Sequence, residues 1–163
     1  MAKKQGRRGH KKAQQQGRSI TNRRARYDYE LGDSLVVGLQ LSGAEVKALR
    51  MGHGQLRGAY VTVKDGELYL LNGSISGSVG VPIDEQTQTR TRKLLAKRRE
   101  IDALIAAKNQ GRTIVPLEIL TGGRYIKLRI ALGKGKKRYD KRETLKQRDA
   151  SRDAARAVRA SLS

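Results

Sequence analysis

The 163-residue chain has no cysteine, no tryptophan and no phenylalanine, and it holds only two prolines and two histidines. Without cysteine there is no disulfide framework and no thiolate metal site, a composition that suits a reducing compartment. His10 and His53 sit in basic or glycine-rich text and offer no ligand set, so neither a metal nor a cofactor is expected. No apolar run approaches the roughly 20 residues that span a bilayer. The basic N-terminus also lacks the apolar stretch of a secretory signal, so the expectation is a soluble, cytoplasmic protein with no membrane partner. GxSxG, HExxH and Walker patterns are missing, and GKGKK at 133–137 lacks P-loop spacing, which argues against an enzyme.

Acidic side chains are scarce too. Thirty-six Lys and Arg stand against 15 Asp and Glu, a formal charge of +21. Self-repulsion of that size is relieved by a polyanion, so nucleic acid is the expected partner. Residues 1–26 hold 10 basic and no acidic groups, 27–132 hold 15 and 11, and 133–163 hold 11 and 4. A nearly balanced middle can fold while charged ends act as arms. The chain therefore reads as a disordered basic arm (1–21), one RNA-binding domain (22–132) and a basic tail (133–163), with length for a single core.

Within the middle, YDYEL and LVVGLQL read as a pair of strands, and Val46 and Leu49 place SGAEVKALRMG on a helix. Ser42 and Glu45 form a capping box at its start and Gly52 a stop. Asp65-Gly66, between two alternating segments, predicts a hairpin. Residues 73–89 read as a long surface loop. From Arg90 to Asn109, Leu94, Leu95, Ile101, Leu104 and Ile105 recur at helical spacing, closed by Gly111. TIVPLEIL and RYIKLRIAL, joined at Gly122-Gly123, predict a second hairpin, with Pro116 at an edge or bulge. The fold class is mainly β with accessory helices, a small antiparallel OB-like barrel whose closure removes exposed edges. The tail has helix-favouring Ala, Arg, Glu and Lys but few large apolar groups, so it is expected to fray alone and to become helical on an RNA surface.

With Trp and Phe missing, base stacking falls to six tyrosines, the histidines or Arg planes. Tyr60, Tyr69 and Tyr125 fall in predicted strands, where a core or sheet-face role is favoured over stacking. Tyr27 and Tyr139 lie beside basic clusters where arm meets body, and there a nucleobase is the natural neighbour.

NRRARYDYEL, SGAEVKALRMG, AYVTVKDGELYLLN, TRTRKLLAKRREID and ALGKGKKRYDKRETLKQRD follow one another in this order. Together they resemble the small protein B family, the SsrA-binding proteins of bacterial trans-translation, over about Asn22 to Asp153. The resemblance implies an OB-like barrel that binds the tRNA-like end of transfer-messenger RNA (tmRNA) and takes it to stalled ribosomes, with elongation factor Tu joining through the RNA and the protein acting as a monomer. It implies RNA contacts by Asn22, Arg23, Arg24 and Tyr27, by the helix bearing Glu45, Lys47 and Arg50, and by Arg92, Lys93, Leu94 and Leu95. Of the two leucines, only one is expected to touch RNA, because a helix must bury an apolar face. The tail would enter the empty message channel at the decoding centre, where Lys134, Lys136, Lys137, Lys141 and Arg142 would meet small-subunit RNA phosphates. Tyr139 would stack on a base and Asp140 would order the turn.

Some positions depart from the family pattern. Val36-Val37-Gly38 stands where relatives carry EAG, Thr87-Gln88 where Asp-Pro is usual, and Ile75-Ser76-Gly77 lacks a common proline. Tyr139 replaces a frequent His. A constitutive ribosomal protein and an initiation-factor-like module are the competing readings of the same charge pattern.

Overall fold

The computed structural model describes residues 19–162, so the basic arm expected at 1–21 lies almost wholly outside the described residues. In chain order the elements are β1 (Ile20–Thr21), α1 (Ala25–Asp28), β2 (Tyr29–Leu39), α2 (Gly43–Arg50), β3 (Gly54–Gln55), β4 (Tyr60–Lys64) and β5 (Glu67–Leu71). They continue with β6 (Ser74–Ile75), α3 (Glu85–Gln88), β7 (Arg92–Leu95), α4 (Arg98–Asn109), β8 (Thr113–Leu120), β9 (Lys127–Gly135) and α5 (Arg138–Ser161). Seven strands form one antiparallel sheet in the order β1-β8-β9-β2-β7-β5-β4, and β3 pairs separately with β6. The sheet curls until β4 comes against β8, giving the small OB-like barrel. Its interior is filled by alternating aliphatic residues, among them Val37, Leu68, Leu70, Leu94, Ile114, Leu128 and Ile130.

Local chemistry explains the elements that the sequence foretold. Ser42 Oγ accepts from the Glu45 N–H at 3.3 Å and Glu45 Oε2 accepts from the Ser42 N–H at 2.8 Å, closing the capping box of α2. Asp65 and Gly66 both adopt positive φ, 51° and 73°, as a two-residue turn twisted with its strands requires, and β4 and β5 pair around it. Pro116 sits at a register shift of β8 against β9.

Four expectations need correction. YDYEL and LVVGLQL are not two strands but one, β2, whose register on β9 shifts between Leu31 and Ser34. Both halves find the same partner strand, so a bulge suffices and no turn is needed.

The helix expected over 90–109 is divided. Residues 92–95 form β7, paired with β2 and β5, and only Arg98–Asn109 is helical. Arg92 and Leu94 turn inward while Lys93 and Leu95 turn outward, a period of two that fits the pleat, and β7 fills the gap that would otherwise leave edges on β2 and β5. The helix starts once Glu100 accepts from the Lys97 N–H at 2.8 Å.

Residues 73–89 are more ordered than a surface loop. Ser74–Ile75 pairs with β3, Ser78 bridges Val81, and Ile75, Val81 and Ile83 pack against the core.

The tail expected to fray alone is a continuous helix of 24 residues, all at least partly exposed. Its first turns are fixed by the body: the Lys136 N–H donates to Asp28 O at 2.9 Å and Lys136 Nζ to Arg26 O at 3.0 Å. With the nucleating turn supplied, its helix-favouring residues propagate it.

Candidate nucleic-acid interface

Three groups of side chains singled out by the sequence occupy distinct places. The first is internal. Glu45, 2% exposed at the N-terminal turn of α2, accepts from Arg90 Nε at 2.8 Å and Arg90 Nη2 at 2.6 Å, and from Arg92 Nε at 3.0 Å. Arg92 is wholly buried, and its remaining donors reach the carbonyls of Gly73 at 2.7 Å, Arg90 at 3.0 Å, Gln88 at 2.9 Å and Thr87 at 3.2 Å. Every N–H of the guanidinium is thus used, which makes a buried charge tolerable. Burial pushes the Glu45 carboxyl upward, but the bonds from Arg90 and the Ser42 N–H, together with the Arg92 charge, outweigh it and hold the group below its ordinary value. This knot ties α2, the Gly73 turn, α3 and β7 together. Arg90 was missed in the sequence reading; the alternation Arg90, Arg92, Leu94 before an outward Leu95 was the available signal.

The second group is the body surface. Arg23 and Arg24 are exposed, as are Lys47 and Arg50 on the outer side of α2. Asn22 is half-buried and structural in part: its N–H donates to Leu117 O at 2.7 Å and its Nδ2 to Pro116 O at 2.9 Å, fixing the segment on β8. A cleft lined by Asn22, Arg23, Arg24, Gln55 and Arg57 joins this segment to the chain after α2. Arg50 Nη2 donates to Gly123 O at 3.3 Å and Arg124 O at 3.0 Å, bracing the β8–β9 loop. Tyr125, expected in a strand, lies in that loop, 68% exposed, with the Arg124 guanidinium 5.4 Å from its ring centre. Tyr60 and Tyr69 do lie in strands. On β7 the two leucines part: Leu94 is fully buried and Leu95 is 53% exposed, while Lys93 pairs with Glu67 at 3.2 Å.

The third group is the root of the tail. Lys134, Lys137, Tyr139 and Arg142 are exposed, and Lys136, Asp140 and Lys141 are half-buried. Asp140 accepts from the Lys137 N–H at 3.3 Å and so does order the first turn of α5. Lys141 Nζ pairs with Asp28 Oδ1 at 3.2 Å and stands 5.7 Å from the centre of the half-buried Tyr27 ring, so Tyr27 has a neighbour in the tail. Asp28 therefore links the segment after Asn22 to the tail.

The arrangement suits electrostatic and stacking contacts to a polyanion, with cations on the outside and rigid internal bonds behind them. Among the described residues there is no group of three His, Asp or Glu that could hold a metal ion, and no helix is long and apolar enough to cross a membrane.

Comparison with known proteins agrees with this geometry. The family model described as SmpB protein matches residues 19–160. An SsrA-binding protein of Trichormus variabilis is 45% identical over 141 residues, covering 85% of this chain and 90% of the relative. Those of Acholeplasma laidlawii and Burkholderia vietnamiensis are 40% and 46% identical, over 86% of this chain and 95% and 97% of theirs. A chain from a solved structure described as "tmRNA-SmpB: a journey to the center of the bacterial ribosome" aligns with a TM-score of 0.63 at 36% identity, over 78% of this chain and 94% of that one.

Proposed function

This chain belongs to the SmpB protein family, and from that premise we propose how its parts divide the work of an adaptor in trans-translation. The protein binds tmRNA and acts on the ribosome with it. The body holds the tRNA-like domain of the RNA through Asn22, Arg23, Arg24 and Tyr27, the Lys47 and Arg50 side of α2, and Lys93 and Leu95 on β7. Glu45, Arg92 and Leu94 belong to the same site from behind, fixing the elements that carry the outward groups. The tail delivers the second contact: Lys134, Lys136, Lys137, Lys141 and Arg142 meet small-subunit RNA in the decoding centre and the empty message channel, with Tyr139 stacking on a base. Elongation factor Tu joins through the tmRNA complex. The protein works in the cytoplasm, as a monomer, without a cofactor and without catalysing a reaction of its own.

The observation that carries the division is α5. At 1.5 Å per residue its 24 residues make a helix about 36 Å long, with Lys137 exposed just before it and Tyr139 and Arg142 exposed on its first turns. Truncation after Lys137 tests it, since β9 runs to Gly135 and pairs there with Tyr29, so an earlier cut would damage the barrel. The truncated chain is expected to keep binding a tRNA-like transcript within about tenfold, as loss of few phosphate contacts allows, and to lose tagging of chains on stalled ribosomes. Tagging at the full rate would contradict the role given to the tail.

A further inference from the structure

A second cleft lies between body and tail. It is lined by Asn22, Arg23, Arg26, Glu118, Arg129 and Arg148, so residues from the start of the domain, from β8 and β9 and from α5 face one space. Thr21 and Leu117 complete the lining, so four of its eight residues are arginines. Arg129 Nη1 pairs with Glu118 Oε2 at 3.0 Å, but the guanidiniums of Arg23, Arg26 and Arg148 have no hydrogen bond or ion pair among the described residues. One carboxylate thus faces four cations.

The tail reaches this cleft by helical geometry. Lys141, which pairs with Asp28, and Thr144, which accepts from Lys136 Nζ at 3.3 Å, mark the face of α5 turned to the body. Arg148 follows at seven residues from Lys141 and four from Thr144, on the same face. Arg26 belongs to α1, whose backbone also receives Lys136. The cleft is therefore anchored by the same contacts that seat the tail.

Uncompensated guanidiniums around one space repel one another, and the group that best relieves them is a phosphate, which the planar guanidinium fork matches in shape and charge. We propose that this cleft grips a backbone phosphodiester of the bound RNA between body and tail, so that Arg148 of α5 helps hold the same RNA the body recognises. This deepens the function proposed above and rests on it. The tail root is then seated partly by the RNA itself, and loss of RNA loosens it.

The test is binding of the full chain to a transcript of the tRNA-like domain of tmRNA in about 0.15 M salt, with Arg26→Gln, Arg148→Gln, their combination, and Lys146→Gln. Lys146 carries the same charge on α5 but does not line the cleft. Each arginine variant is expected to weaken binding about fivefold, the share of one phosphate contact at that salt, and Lys146→Gln by less than about twofold. Because both arginines serve one phosphate, the combined loss should fall well short of the product of the single losses. Neither guanidinium has a hydrogen bond or ion pair among the described residues, and Arg26→Gln keeps the backbone carbonyl that accepts from Lys136, so an unchanged unfolding midpoint is expected alongside. An Arg148→Gln effect equal to that of Lys146→Gln, or losses that multiply, would overturn the cleft while leaving RNA binding standing. A wild-type chain that did not bind the transcript would remove both readings.

Discussion

Glu45 and Arg92, for which the family resemblance implies RNA contacts, bind each other inside the protein, with Arg92 Nη2 2.9 Å from Glu45 Oε1 and both side chains almost wholly shielded from water. Neither side chain is placed to touch RNA, and in the function proposed above they serve through the elements they hold. Arg92→Met leaves the carbonyls of Gly73, Thr87, Gln88 and Arg90 without that donor and should cost about 3–5 kcal/mol, the usual loss when one partner of a buried pair is removed. Urea unfolding measures it, and RNA affinity should fall alongside, because Arg92 holds α2 and β7 behind the outward groups.

The same knot sets an acid limit. The Glu45 carboxyl titrates below its ordinary value in the folded chain, because the bonds from Arg90 and Ser42 and the Arg92 charge outweigh the effect of burial. Its contribution is complete above the unfolded-state value and disappears as pH falls through the lower folded-state value. The stability gap between wild type and Glu45→Gln should thus be widest near neutral pH and should narrow on acidification below about pH 4. A gap that widened in acid would contradict the assignment.

Leu94 and Leu95 separate core from surface on one strand. Leu94→Ala should lose about 2–5 kcal/mol by opening a cavity, whereas Leu95→Ala should stay within about 0.5 kcal/mol of wild type. Loss of RNA binding by Leu95→Ala, with the unfolding midpoint unchanged, would mark Leu95 as the leucine that touches RNA.

Asp28 fastens the tail. Asp28→Asn removes the charge paired with Lys141 but spares the Asp28 carbonyl that accepts from Lys136. The pair is about one-third exposed, so the loss should be modest, about 0.5–1 kcal/mol. Hydrogen exchange in the first turns of α5 should quicken while that of the barrel strands does not.

Much of this fold was legible because its local signals agree. The Ser42–Glu45 box, the Asp65-Gly66 turn, Pro116 at a register shift and the stops at Gly52 and Gly111 each depend on neighbours in sequence. What escaped depends on partners far along the chain. Leu94 and Leu95 continue the helical spacing of Ile101 and Leu104, so strand β7 becomes visible only once β2 and β5 provide edges for it. An arginine in the core is equally unreadable, since Arg92 is acceptable there only because Glu45 and carbonyls at 73, 87, 88 and 90 converge on it. Of the candidate interface, the exposed cations and the ordering role of Asp140 were foreseen. The links made by Asp28 and the cleft completed by Arg148 were not, because both bring the tail back to the first residues of the domain.

The RNA that the protein selects in cells tests the central claim most directly. The full chain, recovered with its bound RNA and the RNA sequenced, should yield one dominant species with a tRNA-like end, enriched far above its cellular share. Recovery of ribosomal RNA in proportion to its abundance, with no such species, would contradict the adaptor function and favour a constitutive ribosomal protein.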